Sequence, residues 1–248
     1  MASSEEIAVV CGRIILEWIE KVWEEALEDR RFWCQALATV LKAGRGVNSV
    51  CTYFVTLLLK KHPATFGEIL RDGGFLDITR QISWSEEEME GAAALLKVGN
   101  KLGLVSFVPV SPSDPSPLVE LPADLIAVLS LHASNSLRVS ALSLLVSSNS
   151  STILIPYPSF ALLRLFYTSN SGSEDLDFRQ YFMSLSSALI SRLRDSCARA
   201  RREGDTKYLE AAKEFLVWWS THSLDSLNPS KPYRSRITAT KVLSLILH

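Results

Sequence analysis

Paired cysteines are missing from this sequence. Its four, Cys11, Cys34, Cys51 and Cys197, show no CxxC spacing and sit among apolar residues, where a thiol acts as a small hydrophobe. A disulfide framework is excluded on that spacing, and a reducing compartment fits better. Histidine is as sparse. His62, His132, His222 and His248 lie far apart, and none belongs to HExxH or to a Cys/His ligand pair. Helix-end and surface roles are favoured for them over metal ligation. There is no GxxxxGKS/T, no GxGxxG after a strand and no GxSxG, and Gly44-Arg45-Gly46 reads only as a turn. Glu86, Glu87 and Glu88 are adjacent, so a helix splays them around its axis, which is poor geometry for paired acid–base work. No catalytic, cofactor-binding or metal residue is expected, and no small-molecule substrate.

Long hydrophobic runs are absent too. Arg164, the pair Lys60 and Lys61, or prolines break every apolar stretch before the roughly 18 residues that a membrane span requires. The start, Met-Ala-Ser-Ser-Glu-Glu, is acidic where a signal peptide is basic. A soluble, cytoplasmic protein without a membrane partner is the expectation. Net charge is small, −1 over 248 residues, so the chain as a whole is no polyanion binder.

What is present is helical periodicity. Ser3 and Glu6 have capping-box spacing, and Ile7, Val10, Ile14, Ile15, Trp18, Ile19 and Val22 follow at intervals of three and four. Further helices are predicted over Arg31–Ala43, stopped by Gly44 and Gly46, and over Asn48–Lys61, stopped before Pro63. A short one from Pro63 to about Arg71 ends at Gly73-Gly74. Ser85 with three glutamates opens the next, which runs to about Leu102. After the proline-rich stretch Pro109–Pro117, helices are predicted over Ala123–Leu131, Leu137–Val146, Pro158–Tyr167, Phe178–Arg202, Thr206–Ser223 and Tyr233–Leu247. No window shows sustained strand alternation.

About eleven helices with short loops predict an all-α fold, an α-solenoid of HEAT/armadillo-like helical hairpins. The expected organisation is helical repeats over 1–108, a Pro/Ser-rich loop over 109–121, and helical repeats over 122–248. The last helix is still amphipathic when the chain stops, where a solenoid ordinarily ends in a polar-faced cap. A fragment of a longer array is the expectation.

Charge is unevenly spread. From Arg179 onward there are 12 Lys and Arg against 6 Asp and Glu, a balance of +6; ahead of it stand 14 against 21, a balance of −7. Any phosphate contact therefore belongs toward the C-terminal part; ordinary solvated helix faces are the alternative. Arg192 and Arg199 are a heptad apart, as are Arg194 and Arg201, two basic rows expected on neighbouring faces of one helix that Arg179 begins. Arg234 and Arg236 begin a later helix. Guanidinium forks suit phosphate oxygens, while Asp195, Glu203 and Asp205 offer intrachain pairing instead. Phe215, Trp218 and Trp219 form a helical aromatic patch, either core or a groove for a partner helix.

Three blocks in order carry a resemblance. LPADLIAVLSLHASNSLRVSALSLLVSSNSST holds Arg138, Ala141, Leu142, Leu144, Leu145, Ser151 and Thr152 in an RxxALxLL pattern with a Ser/Thr turn. DFRQYFMSLSSALISRLRDS holds Phe178, Arg179, Gln180, Arg192, Leu193, Arg194, Asp195 and Ser196. FLVWWSTHSLDSLNPSKPYRSRITATKVLSLIL places Tyr233, Arg234 and Arg236 at basic positions, with Ser230 where a glycine is usual. Over residues 121–247 the chain thus resembles the thyroid-adenoma-associated protein family, whose fungal members are regulatory subunits of a tRNA anticodon-loop ribose 2′-O-methyltransferase. The resemblance implies a non-catalytic scaffold of HEAT-like repeats. Its partners would be the tRNA 2′-O-methyltransferase and, with it, tRNA, and S-adenosylmethionine would be held by the methyltransferase. The candidate RNA or partner contacts are Arg179, Arg192, Arg194, Arg234 and Arg236. A generic helical adaptor without an RNA role is the competing reading.

Overall fold

The computed structural model describes residues 27–42, 45–77, 84–108, 110, 116–147, 153–173 and 175–247. The helix expected from Ser3 lies outside the described residues. Those described form ten helices and one two-stranded ladder. Among them, no helix is long and apolar enough to cross a membrane. The chain divides into two compact units, Met1–Leu125 and Ile126–His248.

The first unit contains α1 (Leu27–Lys42), α2 (Arg45–Lys61), α3 (Thr65–Asp72) and α4 (Glu86–Lys101). Helix α1 packs on α2, α3 and α4, and α4 also packs on α2. Cys34, Ala38 and Leu41 recur at helical spacing on the buried face of α1, so Cys34 serves as a core hydrophobe. Phe66, Ile69 and Leu70 answer from α3. Helix α4 lies close to the Phe66 ring because Gly99 has no side chain; a Cβ there would stand 2.2 Å from Phe66 Cζ. The helix starts as its sequence directs. Ser85 Oγ accepts from Glu88 N–H at 3.3 Å, and Glu88 Oε2 accepts from Ser85 N–H at 2.8 Å. At the end of α3, Gly74 takes φ +70°, and Phe75 N–H returns to Leu70 O at 2.9 Å.

Two expectations need correction in this unit. Gly46 does not stop α1; it lies in the first turn of α2. A glycine costs a helix about 1 kcal/mol at most, and the apolar run that follows outweighs it. The second concerns strands. Val105–Ser106 (β1) pairs in parallel with Val119–Glu120 (β2), ahead of and behind the proline-rich stretch. Val119 N–H donates to Leu104 O at 2.9 Å and Leu121 N–H to Ser106 O at 2.7 Å. Two-residue strands are too short to leave a period in the sequence.

The division between units falls within α5 (Ala123–Leu131). The second unit continues with α6 (Asn135–Val146), α7 (Ser159–Asn170), α8 (Leu176–Glu203), α9 (Thr206–Asp225) and α10 (Tyr233–Leu247). Neighbours in sequence pack as hairpins: α6 with α7, α8 with α9, α9 with α10. Helix α8 also packs on α6 and α10, and α7 on α9. The core is aromatic. Tyr167 and Trp219 have ring centroids 4.5 Å apart, and Phe160 stacks on Phe215 at 5.0 Å.

Polar side chains pin this core across long sequence separations. The Arg138 guanidinium lies 4.5 Å from the Phe178 ring centroid and donates to Asn170 Oδ1 at 3.0 Å and to Asn135 Oδ1. Burial pushes its pKa down, and Asp175 opposes the shift. Asn170 in turn donates to Ser130 O and Phe166 O, both at 2.9 Å. Ser196 Oγ accepts from the amides of Leu154 and Ile155 at 3.1 and 3.2 Å and donates to Arg192 O. Tyr208 OH donates to Ile155 O at 2.7 Å. Tyr167 OH meets Ser186 Oγ at 2.8 Å. Each removes a buried polar group's need for water.

Candidate functional site

Helix α8 carries most of the candidate arginines. It begins because Asp175 accepts from Phe178 N–H at 2.7 Å, and it ends at Gly204, whose φ of +74° closes the last turn. Phe178, Phe182, Leu189, Leu193, Ser196 and Ala200 form its buried stripe. Arg192 and Arg199 lie on one flank of that stripe and Arg194 and Arg201 on the other. Two residues apart on a helix means about 160° of separation, so the rows are not on neighbouring faces as the heptad spacing suggested.

The candidates separate again along the helix axis. Phe182 shares its surroundings with Ser235 and Thr238, in the first two turns of α10. Arg194 donates to Leu245 O at 3.4 Å, near the end of α10. Helices α8 and α10 therefore run parallel. Arg179, Arg234 and Arg236 sit toward their N-terminal ends and Arg194 toward the other, about 16 Å away along α10 at 1.5 Å per residue.

The N-terminal ends differ chemically. Arg179 donates from Nε to Asp175 O at 3.3 Å and shares the first turn of α8 with Asp177, which offsets its charge. Helix α10 has no acidic residue in its first turn, and Lys231, Tyr233 and Arg234 are exposed around it. The Arg236 guanidinium lies 5.6 Å from the Tyr233 ring centroid, and its Nε is buried without a hydrogen-bond partner. The turn before α10 needs no glycine at Ser230: Asn228 Oδ1 accepts from both Ser230 N–H, at 3.0 Å, and Ser230 Oγ, at 2.9 Å. A cationic helix start with an exposed ring suits phosphate and base stacking.

At the opposite end lies a cleft of about 280 Å³ between α8, α9 and α10. Ile190, Leu193, Leu216 and Ile246 make it apolar, and Arg194 and Arg201 stand in its lining beside Cys197. Burial pushes the Cys197 thiol up, and the charge of Arg201 pulls against that shift. Sequence reading named Arg194 without the cleft, because Ile246 and Leu216 reach it only through the fold.

The aromatic patch divides. Phe215 and Trp219 are core, whereas Trp218 is half-buried in a second cleft of about 470 Å³. Arg164 lies 5.6 Å from its ring centroid and His222 stacks on it at 5.4 Å. Glu210, Lys213 and Glu214 complete that cleft with mixed charge. His222 Nε2 also lies 3.2 Å from Ser171 Oγ, and His132 Nδ1 accepts from Ser134 N–H at 3.0 Å. Both are helix-end contacts. Among the described residues, no group of three His, Cys, Asp or Glu is placed to hold a metal ion.

No curated protein and no solved structure matches the chain significantly. A family model described as "Trm732, TPR repeats" matches residues 30–248, reaching well ahead of the blocks that carried the resemblance. The tetratricopeptide repeat is itself a helix–turn–helix hairpin, so the repeat unit agrees with the hairpins seen here.

Proposed function

This chain belongs to the Trm732 TPR-repeat family, named after the regulatory subunit of a tRNA methyltransferase, and on that premise we propose that it is a non-catalytic scaffold for ribose 2′-O-methylation in the tRNA anticodon loop. It works in the cytoplasm by holding the methyltransferase and its tRNA together. Catalysis and S-adenosylmethionine belong to the partner. The family match over residues 30–248 carries this reading.

Within it, the start of α10 is the phosphate contact. Arg234 and Arg236 reach it from opposite sides of the helix start, about 160° apart around α10, and Arg179 adds to it from the start of α8; Arg192, on the far flank of α8 and at the level of Arg194, stands apart from it. Arg194 serves the protein partner. Support comes from the absence of acidic residues in the first turn of α10 and from the positive end of its helix dipole.

Titration of tRNA binding against salt tests the reading. Each phosphate neutralised steepens the fall of log K with log salt by about 0.7 to 0.9. Arg234→Glu with Arg236→Glu is expected to weaken binding and flatten that slope by more than one. A protein that holds neither tRNA at low salt nor the cognate methyltransferase in a pull-down is a generic helical adaptor instead.

A further inference from the structure

The cleft at the far end of α8 calls for a different ligand from the start of α10. Its walls are aliphatic, Ile190 and Leu193 from α8, Leu216 from α9 and Ile246 from α10, with no aromatic ring among its lining residues on which a base would stack. Arg194 and Arg201 stand along one side, two helical turns or about 10.5 Å apart. Arg194 uses one of its five N–H donors on Leu245 O, and neither arginine has an ion-pair partner among the described residues. The lining contains no carboxylate.

We infer that this cleft is the docking site for an amphipathic helix of the methyltransferase, one that presents an aliphatic face flanked by carboxylates seven residues apart. The inference rests on the scaffold function proposed above. An aliphatic floor with a cationic edge complements that helix on both counts, whereas RNA offers phosphate for the edge and nothing for the floor. The surface thus sorts its ligands by chemistry: nucleic acid at the N-terminal end of α10, protein at the other.

Measured affinity for the purified cognate tRNA methyltransferase and, separately, for tRNA tests this. Arg194→Glu with Arg201→Glu should weaken methyltransferase binding about tenfold or more, as reversal of close interfacial charges does, while tRNA affinity stays within about twofold. Ala198→Trp, which fills the cleft from an exposed position and leaves both charges, should do the same. The lysine pair, Arg194→Lys with Arg201→Lys, should restore most of the binding. Alkylation of Cys197 by iodoacetamide should slow when methyltransferase is bound, and circular dichroism should show that each variant folds. Retention of full methyltransferase affinity by both the Glu pair and Ala198→Trp would overturn the docking site and leave the scaffold reading standing. So would loss of tRNA affinity alone, which would make the cleft edge an RNA surface, or a Cys197 already shielded without partner. Failure of the unaltered protein to bind methyltransferase at all would sink the scaffold reading and this inference with it.

Discussion

Among the described residues of the first unit a helix approaches a ring because a glycine lets it, Gly99 of α4 against Phe66 of α3, and the core is apolar, although Cys34 Sγ also donates to Glu68 Oε2 at 3.8 Å and Arg31 pairs with Asp72 at 3.9 Å. In residues 126–248 long-range contacts are fastened by polar side chains: Arg138 to Asn170, Ser196 to the amides of Leu154 and Ile155, Tyr208 to Ile155 O. Charge differs as well, 12 basic against 18 acidic residues in the first unit and 14 against 9 in the second. The contrast explains why the family resemblance was readable in one half alone. Polar pins demand a particular residue at a particular place, and they leave motifs. Apolar packing accepts substitutes of similar volume and leaves only periodicity. Arg138, Phe178 and Ser196, which helped carry the resemblance, fasten the fold.

Four substitutions and a pH series break or sharpen the contrast. Phe66→Ala, which empties the apolar core of the first unit, should cost about 3–5 kcal/mol, read by urea unfolding. Arg138→Ala, which leaves Asn170 and Asn135 without their donor and Phe178 without its cation, should cost about 2–3 kcal/mol in the second unit. Ser196→Ala strands two amides and should cost about 1–2 kcal/mol. Arg31→Ala in the first unit removes an exposed pair with Asp72 at 3.9 Å and should move stability by no more than about 0.5 kcal/mol. If Arg138→Ala proved as mild as Arg31→Ala, the polar-pin account of the second unit would fail.

Alkaline titration tests the second unit by another route. Burial pushes the phenols of Tyr167 and Tyr208 well above the ordinary tyrosine value. A raised phenol pKa means the folded state holds its proton longer than the unfolded chain does. The stability it contributes is therefore complete below about pH 10, the unfolded pKa, and declines as pH rises above it. The second unit should lose stability from that pH upward, and Tyr167→Phe with Tyr208→Phe should flatten the loss.

Helix existence was legible in the sequence, and the bounds of α5 and α10 follow Pro122 and Pro232 as punctuation predicts. Gly46 misled because a glycine at a helix start costs little, and β1 and β2 were too short to leave a signal. The candidate site was legible as a list of arginines and not as an arrangement. A two-residue offset between Arg192 and Arg194 puts them on opposite flanks of α8. Only the fold brings Ile246 to Arg194 and Arg201, and the parallel run of α8 and α10 decides which arginines share an end.

Reconstituted methyl transfer tests the scaffold claim most directly. Purified methyltransferase, unmodified tRNA and S-adenosylmethionine are combined with and without this protein, and ribose methylation of the anticodon loop is measured. No methylation is expected from this protein alone, and with methyltransferase the rate should be well above that of methyltransferase by itself. Methylation by this protein without its partner, or a rate unchanged by its addition, would contradict the scaffold claim.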